Sequence, residues 1–256
     1  MIQTLILHLD APLQSWGIES RYKRRHAGDA PSKSAICGMV CAAMGAARES
    51  PRAAEVIQAF RHARMTAICL HPAQNTAVQQ NGSHLLADYH TVLGTRKASG
   101  GLLGHAVLTY RYYHQNKRFA ILLESEDIAL LERARQALAN PVWGLWFGRK
   151  CCIPAAPVIR DPLISRAEAR DLLRKTYEGA IWEIFAEADS FESGSDTWND
   201  QPVAFGHAAS SGGGGRLYTP RRIKHGLSPM QPREALPSEE KTIRHIMPLE
   251  EEYFQF

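Results

Sequence analysis

An α+β fold with a ferredoxin-like core is predicted from the order in which apolar segments follow one another. Continuous or alternating apolar residues predict strands, and apolar residues at a helical spacing predict helices. Along the chain the segments run strand, helix, strand, long insertion, strand, helix, strand. That order is typical of a split βαβ core. We place this core in residues 1–160 and expect a smaller, β-rich extension in residues 161–256.

The first half of the core begins with an apolar strand at residues 4–9. An apolar helix is predicted to start after Ser32, a favourable N-cap residue, and to run to about Ala47. A second short helix is predicted after Ser50, because the next residue is a proline suited to the first helical position. The second strand is predicted at residues 65–70.

The insertion covers residues 71–104, which are polar, contain glycine and show no clear period. Long irregular insertions in compact domains are usually functional or disordered. Two strands follow, at residues 105–113 and 118–124. The four residues between them, His114-Gln115-Asn116-Lys117, predict the turn of a hairpin.

The remaining elements are less regular. A helix is predicted at residues 125–139, and Ser165 with Glu168 forms a predicted capping box at the start of another short helix. A strand is predicted at residues 181–186. Residues 192–215, which end in a run of four glycines, are predicted to form a flexible loop.

Composition excludes several classes of protein. The 256 residues are 45% hydrophobic and 22% charged, as in a globular protein rather than a disordered chain. Five cysteines without a C-x-x-C motif, and no signal peptide, favour reduced thiols in the cytoplasm. The longest apolar run, residues 35–47, is too short to span a bilayer. No metal-ligand spacing is present, so no metal or other cofactor is expected.

Charge is distributed unevenly along the chain. The net charge is only +4, but residues 1–175 carry 23 Lys and Arg against 13 Asp and Glu. Residues 176–215 carry seven acidic residues and no Lys or Arg. A basic body is typical of proteins that bind polyanions, although solvated surface charge explains it equally well. The acidic segment could face a basic partner or could serve solubility.

Basic residues lie beside aromatic rings or a helix start in four clusters. They are residues 14–17 with 21–25, residues 32–34, residues 111–113 and residues 148–150. Aromatic rings stack on unpaired bases while Arg and Lys hold phosphates, so this interleaving suits single-stranded RNA. At the helix start, free backbone N–H groups would form an anion site with Lys33 as the counter-charge.

Each cluster also has a purely structural interpretation. Core packing explains Trp16 at least as well as stacking on a base, and Gly148-Arg149-Lys150 could be an ordinary surface turn. Tyr112 and Tyr113 are neighbours on a predicted strand, so only one of the two rings can face a ligand.

A catalytic interpretation rests on His114 and Lys117, which with a nearby tyrosine could cleave RNA without a metal. One group would act as general base on the 2′-hydroxyl and another as general acid on the leaving oxygen. Histidine and lysine in a short turn are more often simply exposed. No phosphate-binding loop, nucleophile elbow or paired-carboxylate motif is present in the sequence.

Four segments resemble the Cas-five subunits of the type I-E CRISPR effector called Cascade, which belong to the RAMP superfamily. The matching segments, in the expected order, are Ala11-Pro12-Leu13-Gln14-Ser15-Trp16-Gly17, then Pro31-Ser32-Lys33-Ser34, then Asp88-Tyr89-His90-Thr91-Val92-Leu93-Gly94-Thr95-Arg96, and finally Gly148-Arg149-Lys150-Cys151-Cys152. The third segment is highly specific, whereas the last hundred residues match more loosely.

The resemblance implies a RAMP domain whose insertion forms a thumb, and a protein that caps the 5′ handle of the guide RNA (crRNA) without being a nuclease. It implies contacts with the backbone subunit CasC and the large subunit CasA, and with target DNA through the assembled complex. Residues assigned to the RNA handle or to the loop that shapes its site are Gln14, Trp16, Lys33, Ser34, Arg111, Arg149 and Lys150. Residues assigned to the thumb, facing guide RNA or CasC, are Tyr89, His90, Thr91 and Arg96.

Relatives in type I-C systems cut precursor guide RNA with Tyr, Lys and His. Members of type I-E usually carry a different, non-basic turn where this chain has His114 and Lys117. Metal-independent processing of precursor guide RNA therefore stays open as the alternative function.

Overall fold

The structure is a computed structural model that describes residues 1–17, 23–71, 85–178, 180–188, 195–205 and 216–227. Ten strands are described: β1 (Gln3–Asp10), β2 (Leu13–Gln14), β3 (Arg24–Arg25), β4 (Arg64–His71), β5 (Leu85–Val92), β6 (Val107–Gln115), β7 (Arg118–Ser125), β8 (Ile181–Glu187), β9 (Ser195–Phe205) and β10 (Arg216–Leu227). Four helices accompany them: α1 (Lys33–Ala43), α2 (Pro51–His62), α3 (Ile128–Ala139) and α4 (Arg166–Thr176).

The main sheet has six antiparallel strands in the order β1-β7-β4-β8-β10-β9. Its central strands are apolar on both sides because both faces are covered. The larger core cluster lies between one face and helices α1, α2 and α3. A smaller cluster, which includes Leu173 of α4 and Trp182, covers the opposite face. The α+β class predicted from the sequence is confirmed.

A smaller sheet is built around β6, which pairs with β2, β3 and β5. Strand β5 pairs with β6 over its whole length, from Leu85 opposite His114 to Val92 opposite Val107. The predicted insertion is therefore a regular strand in part, not an irregular segment throughout. Residues 72–84 of the insertion lie outside the described residues.

The predicted hairpin between residues 105–113 and 118–124 is wrong. Strands β6 and β7 follow one another across Asn116, whose φ of 52° makes a tight turn, yet they belong to different sheets. The reason is burial: every residue of β7 after Arg118 is buried, so it takes the central position between β1 and β4. Strand β6 is only half-buried and forms the smaller sheet with β5.

The predicted N-caps are confirmed, since Ser32, Ser50 and Ser165 each accept a backbone N–H of the helix that follows. The capping box of Ser165 with Glu168 is present. Helix α1 ends at Ala43, four residues before the predicted end, because Gly45 has a φ of 65° and leaves the helical path.

The C-terminal strands continue the main sheet rather than forming a sheet of their own. The strand predicted at 181–186 is present as β8. It pairs with β4, from Thr66 opposite Ala186 to His71 opposite Ile181. Residues 195–205, predicted to be loop, form β9, while the glycine run at 212–215 lies outside the described residues. The main sheet thus contains strands from both sides of the predicted domain boundary at residue 160. The division into two domains stays a prediction. Within the described ranges, none of the helices has the length and apolar character that a membrane crossing requires.

Candidate nucleic-acid interface

One face of the smaller sheet carries a group of tyrosines. Tyr110 and Tyr112 are two residues apart on β6, so their side chains share a face, and Tyr89 lies directly opposite Tyr110 on β5. The ring centroids of Tyr89 and Tyr110 are 5.2 Å apart. His26 stacks on Tyr112 at 5.5 Å with an interplanar angle of 4°. We call Tyr89, Tyr110, Tyr112, His26 and Arg24 the tyrosine face.

The tyrosine face is open to solvent at its rim. Tyr89 is 54% exposed, and Arg24 and His26 are exposed. Arg24 lies opposite Tyr110 through the parallel pairing of β3 with β6. Exposed rings beside a guanidinium are the groups that stack on unpaired bases and hold phosphates.

Only part of this face was predicted from the sequence. The prediction that Tyr112 and Tyr113 point in opposite directions is confirmed: Tyr113 is 5% exposed, and Tyr112 stacks on His26. Tyr110 was missed, although its spacing of two residues from Tyr112 places both rings on one face of a strand. His26 and Arg24 lay within a noted basic cluster but were not assigned to a site.

The opposite face of the same sheet carries arginines. The guanidinium of Arg149 lies over the Tyr113 ring at 4.5 Å from its centroid, and Nη2 donates to the carbonyl of Arg25 at 2.8 Å. Arg111, half-buried, lies opposite Asp88 on β5, and its Nε donates to Thr109. The predicted site residue Arg149 is thus partly engaged in holding β3 against β6.

The turn at Gly148 packs tightly against the segment before β3. A Cβ added at Gly148, whose φ is 91°, would overlap the carbonyl oxygen of Ser15. Ser15 in turn donates its backbone N–H to Phe147 and its hydroxyl to the carbonyl of Tyr112. Lys150 is exposed beside this turn. The predicted turn therefore sits where the two sheets meet.

Gln14 and Trp16 support this junction from inside. Gln14 is fully buried, and its Nε2 donates to the carbonyls of Leu9 and Lys117 while its Oε1 accepts the indole N–H of Trp16. Trp16 is 2% exposed and packs on Phe147. The core interpretation of Trp16 fits this placement. Both side chains can shape the loop, but neither reaches the surface to contact RNA directly.

A pocket of about 130 Å³ opens beside this junction. Its lining combines polar and aromatic groups from five segments: Ser15, Trp16, Gly17, Ser32, Ser34, Ala35, Gly148, Asn199 and Tyr218. Ser34, half-buried, contributes the start of α1, and Tyr218 of β10 is 38% exposed. The predicted residue Ser34 and the Gly148 turn are therefore brought together, as one polar recess with an exposed ring at its rim.

Lys33 does not belong to this surface, which corrects its predicted role as counter-charge for a phosphate. Its side chain is fully buried, and its ammonium lies 3.3 Å from both carboxylate oxygens of Glu187. The backbone N–H of Lys33 donates to Oδ2 of Asp200 at 2.8 Å. The start of α1 thus already has an anion, supplied by the chain itself. Burial lowers the pKa of Lys33, and Glu187 opposes that shift.

The acidic segment contributes to a buried ion network. Asp200, 1% exposed, accepts two hydrogen bonds from Arg221, at 2.9 Å from Nε and 2.7 Å from Nη2. Arg221 also lies 3.5 Å from Glu187, which accepts the backbone N–H of Met65. The network joins α1, β4, β8, β9 and β10, so the charge of these two acids is used within the molecule.

The predicted thumb residues lie on β5 and in the loop after it. Tyr89 belongs to the tyrosine face, whereas His90 is half-buried on the opposite side of the strand. Thr91 is exposed, and Arg96 is exposed where it bridges to Leu102 in the loop between β5 and β6. Apolar side chains around this hairpin are also exposed, among them Leu93 at 77%.

His114 is not an exposed turn residue. It is 6% exposed on β6, its Nε2 contacts the carbonyl of Gly28, and its ring meets Phe119 edge-on. Burial, with a contribution from the nearby charge of Lys117, lowers the pKa of His114 to about 4. The imidazole is therefore neutral at pH 7 and shielded from a large substrate.

This shifted pKa predicts a pH dependence of stability. An unfolded histidine takes up a proton near pH 6.5, but folded His114 does so only near pH 4, so the unfolded state binds more protons between these values. The free energy of unfolding should therefore fall on acidification through this window, by at most about 1.4 kcal/mol per pH unit from this residue. In His114→Gln, which retains a donor for Gly28, urea unfolding should show a shallower dependence. An unchanged slope would contradict the prediction.

A family model described as "CRISPR-associated protein (Cas_Cas5)" matches residues 4–226. Among curated proteins, the "CRISPR system Cascade subunit CasD" of Escherichia coli strain K12 is 27% identical over 188 residues, which cover 72% of this chain and 80% of that protein.

Two solved structures share the fold. A chain of a "CRISPR RNA-guided surveillance complex" superimposes with a TM-score of 0.65 at 22% identity, covering 88% of this chain and 90% of the other. A structure described as "Crystal structure of Cas protein" superimposes with a TM-score of 0.59 at 23% identity, covering 88% of this chain and 94% of the other.

Proposed function

Because this chain belongs to the Cas5 family of CRISPR-associated proteins, we propose that it is a Cascade subunit of the CasD kind, in a type I-E system. Its role is to bind and cap the 5′ handle of the guide RNA within an RNA-guided surveillance complex that recognises foreign DNA. The likeness to a chain of such a complex supports the assembly. Five free thiols, all in the described part of the chain, support a cytoplasmic location.

The tyrosine face is the observation that carries the RNA-binding role. Three tyrosines and His26 offer ring faces, Arg24 lies opposite Tyr110, and its neighbours Lys23 and Arg25 are also exposed. Stacking of bases on aromatic rings is sequence-tolerant, and the cations add a salt-dependent attraction for phosphates. A single-stranded handle with unpaired bases suits such a surface better than a rigid duplex does.

The pocket beside the Gly148 turn provides a second contact region, next to the arginine-bearing face of the smaller sheet. Arg149, which follows Gly148, contacts both Tyr113 and the backbone of β3. We assign Lys150 and Arg111 to phosphates of the handle and Ser34 to a polar contact within the pocket. Gln14 and Trp16 keep an indirect role, as the buried support of the loop.

The RAMP assignment of the core is part of the proposal. Strands β1, β7 and β4 lie side by side, and the helices that follow β1 and β7 pack on the same face, as in a split βαβ core. The segment at 158–164 runs along the free edge of β1, where His8 donates to Val158 and Thr4 donates to Ile164. It occupies the place that the fourth strand of a ferredoxin-like sheet would take.

The proposed function also assigns parts of the chain to contacts with partners. We assign the hairpin of β5 and β6, with Thr91 and Arg96, to the thumb that contacts guide RNA or the CasC backbone subunit. Its exposed leucines suit a protein contact at the far end, and the tyrosine face suits RNA at its base. We assign the contacts with the large subunit CasA and with target DNA to the assembled complex.

We also propose that the subunit is not a nuclease. His114 is buried and neutral at pH 7, and the backbone carbonyl of Lys117 holds Gln14. A general base must reach the 2′-hydroxyl of its substrate. The burial of His114 therefore favours binding over the alternative function, cleavage of precursor guide RNA.

The test is to co-express the chain with the other subunits of its system, purify it through a tag, and sequence the bound RNA. We expect one class of guide RNA whose 5′ handle is protected from nuclease digestion by this chain. Crosslinking of the handle to a different subunit would overturn the proposal. A mixture of unrelated RNAs, bound without partner subunits, would instead indicate a stand-alone RNA chaperone.

The nuclease alternative has its own test. Purified chain, free of the other subunits, is incubated with precursor guide RNA in the presence of EDTA, and the products are separated on a denaturing gel. We expect intact RNA. Cleavage that His114→Gln abolishes, while the variant remains folded, would establish the alternative and refute the non-catalytic role.

A further inference from the structure

Four side chains with metal-binding donors lie together on one face of the main sheet, away from the tyrosine face. Cys69 and His71 are two residues apart on β4, so they share a face, and Glu183 of β8 lies directly opposite Cys69. His225 of β10 lies diagonally across from Glu183, whose own partner on that strand is Leu227. Three neighbouring strands thus supply one thiol, one carboxylate and two imidazoles.

The donor atoms converge. Sγ of Cys69, a ring nitrogen of His71 and a carboxylate oxygen of Glu183 all lie within 4.8 Å of one another. Nε2 of His71 is 3.0 Å from Oε2 of Glu183, and Nε2 of His225 is 2.8 Å from Oε1. Ligands of a tetrahedral zinc ion stand about 3.3 Å or slightly more apart, since each lies 2.0–2.3 Å from the metal. Cys69, His71 and Glu183 therefore need only small side-chain shifts to coordinate one ion, while His225 lies outside this group of three and holds the other carboxylate oxygen of Glu183.

The donors are partly enclosed by the protein. Cys69 is 1% exposed, His71 and Glu183 are half-buried, and the ring of His225 stacks on Phe185 at 4.7 Å. Side chains on paired strands are fixed by the register of the sheet, so little conformational freedom is lost on binding. The outer edge, at His225, leaves a path for an ion to enter.

We propose that Cys69, His71 and Glu183 bind one zinc-type divalent transition ion and that His225 positions the Glu183 carboxylate. The donor set of sulfur, nitrogen and oxygen is one that Zn²⁺ takes and that Mg²⁺ or Ca²⁺ does not. Binding displaces the thiol proton of Cys69 to solvent and leaves the His71 imidazole neutral at its coordinating nitrogen. The site uses no residue of the proposed RNA surface.

The ion would tie together the strand ends at the base of the insertion. Strand β4 ends at His71, and the predicted insertion begins there. Strands β8 and β10 belong to the C-terminal part, so coordination would link this part to the root of the thumb. The role is structural, because the ion would join β4 to β8 directly and to β10 through the hydrogen bond of His225 with Glu183.

No metal was predicted from the sequence, because no set of metal ligands lies close together along the chain. Cys69 and His71 form only a C-x-H pair, and Glu183 and His225 lie more than a hundred residues away. Only the pairing of β4 with β8 and of β8 with β10 brings them together.

The test measures metal binding directly on the full chain. Protein purified without chelator is analysed for bound metals, then stripped with EDTA and titrated with Zn²⁺ and, as a spectroscopic probe, with Co²⁺. We expect one zinc per chain, a thiolate-to-cobalt charge-transfer band with Co²⁺, and a higher midpoint of thermal unfolding with the ion bound. Failure to bind either ion overturns the proposal.

Three variants and two controls locate the site. Glu183→Gln and His225→Gln should each weaken zinc binding more than about 10-fold, while Cys69→Ala should remove the charge-transfer band. His62→Gln, at an exposed histidine of α2, and Cys151→Ala, at an exposed thiol, should bind as wild type does. Equal zinc affinity in Glu183→Gln, His225→Gln and wild type would overturn the assignment. Because His225 is at the surface, its variant should remain folded, and the RNA-binding test is unaffected by either result.

Discussion

Asp200→Ala is expected to lower the free energy of unfolding by about 3–5 kcal/mol, the usual cost of removing one partner of a buried ion pair. The carboxylate accepts two hydrogen bonds from Arg221 and one from the backbone of Lys33, all within 2.9 Å. Without it, Glu187 at 3.5 Å is the one acidic partner that the buried guanidinium keeps among the described residues, and the first turn of α1 loses its anion. Urea unfolding followed by circular dichroism measures the effect.

Asp196 provides the matched control, since it lies on the same strand but is exposed. Asp196→Ala should change the free energy of unfolding by less than about 0.5 kcal/mol. The double variant Asp200→Leu with Arg221→Met, which removes both charges, should recover much of the lost stability. A loss in Asp200→Ala no larger than in Asp196→Ala would contradict the importance of the network.

Removing a ring and a charge from the tyrosine face should give the second large effect. In Tyr110→Ala with Arg24→Ala, we expect the assembled complex to bind its guide RNA about 100-fold less tightly, because each lost base stack costs about 1–3 kcal/mol and the lost cation weakens a phosphate contact. The dependence of affinity on salt should also become shallower. Fluorescence anisotropy of labelled guide RNA at several salt concentrations measures both quantities.

Conservative replacements separate stacking and charge from packing. Tyr110→Phe with Arg24→Lys keeps a ring and a cation, so its affinity should stay close to that of the wild type. Arg52→Ala removes an exposed arginine from α2, away from the tyrosine face, and should leave affinity unchanged. If the alanine pair binds RNA as tightly as wild type, the handle does not lie on this face.

Local patterns in the sequence predicted most single elements correctly. Serine N-caps, the capping box at Ser165 and the apolar runs of β1 and β4 all formed as expected, because neighbouring residues decide these features. Alternation along β6 separated Tyr113 from Tyr112 for the same reason. Pairing between strands was less predictable: adjacent β6 and β7 do not form a hairpin.

The candidate site was likewise predicted only in part from local sequence patterns. The motifs at 14–17 and 148–150 do come together, and Ser34 joins them at the pocket. Lys33 has the positive charge and the position at the start of α1 that a phosphate site needs. Its ammonium, however, is bound inside the protein by Glu187, 154 residues away. No pattern around residue 33 signals that partner.

By itself, the sequence determined the α+β class, the family resemblance and the aromatic and basic residues available for RNA, since these depend on residue types and short spacings. The tertiary structure decided which of them reach the surface. Tyr89, Tyr110 and His26 meet on one face because three strands pair in a particular register. Lys33 and His114 are buried in the interior, where carboxylates and backbone groups from distant segments contact them. Long-range pairing is a property of the whole chain, and that is why local sequence could not supply it.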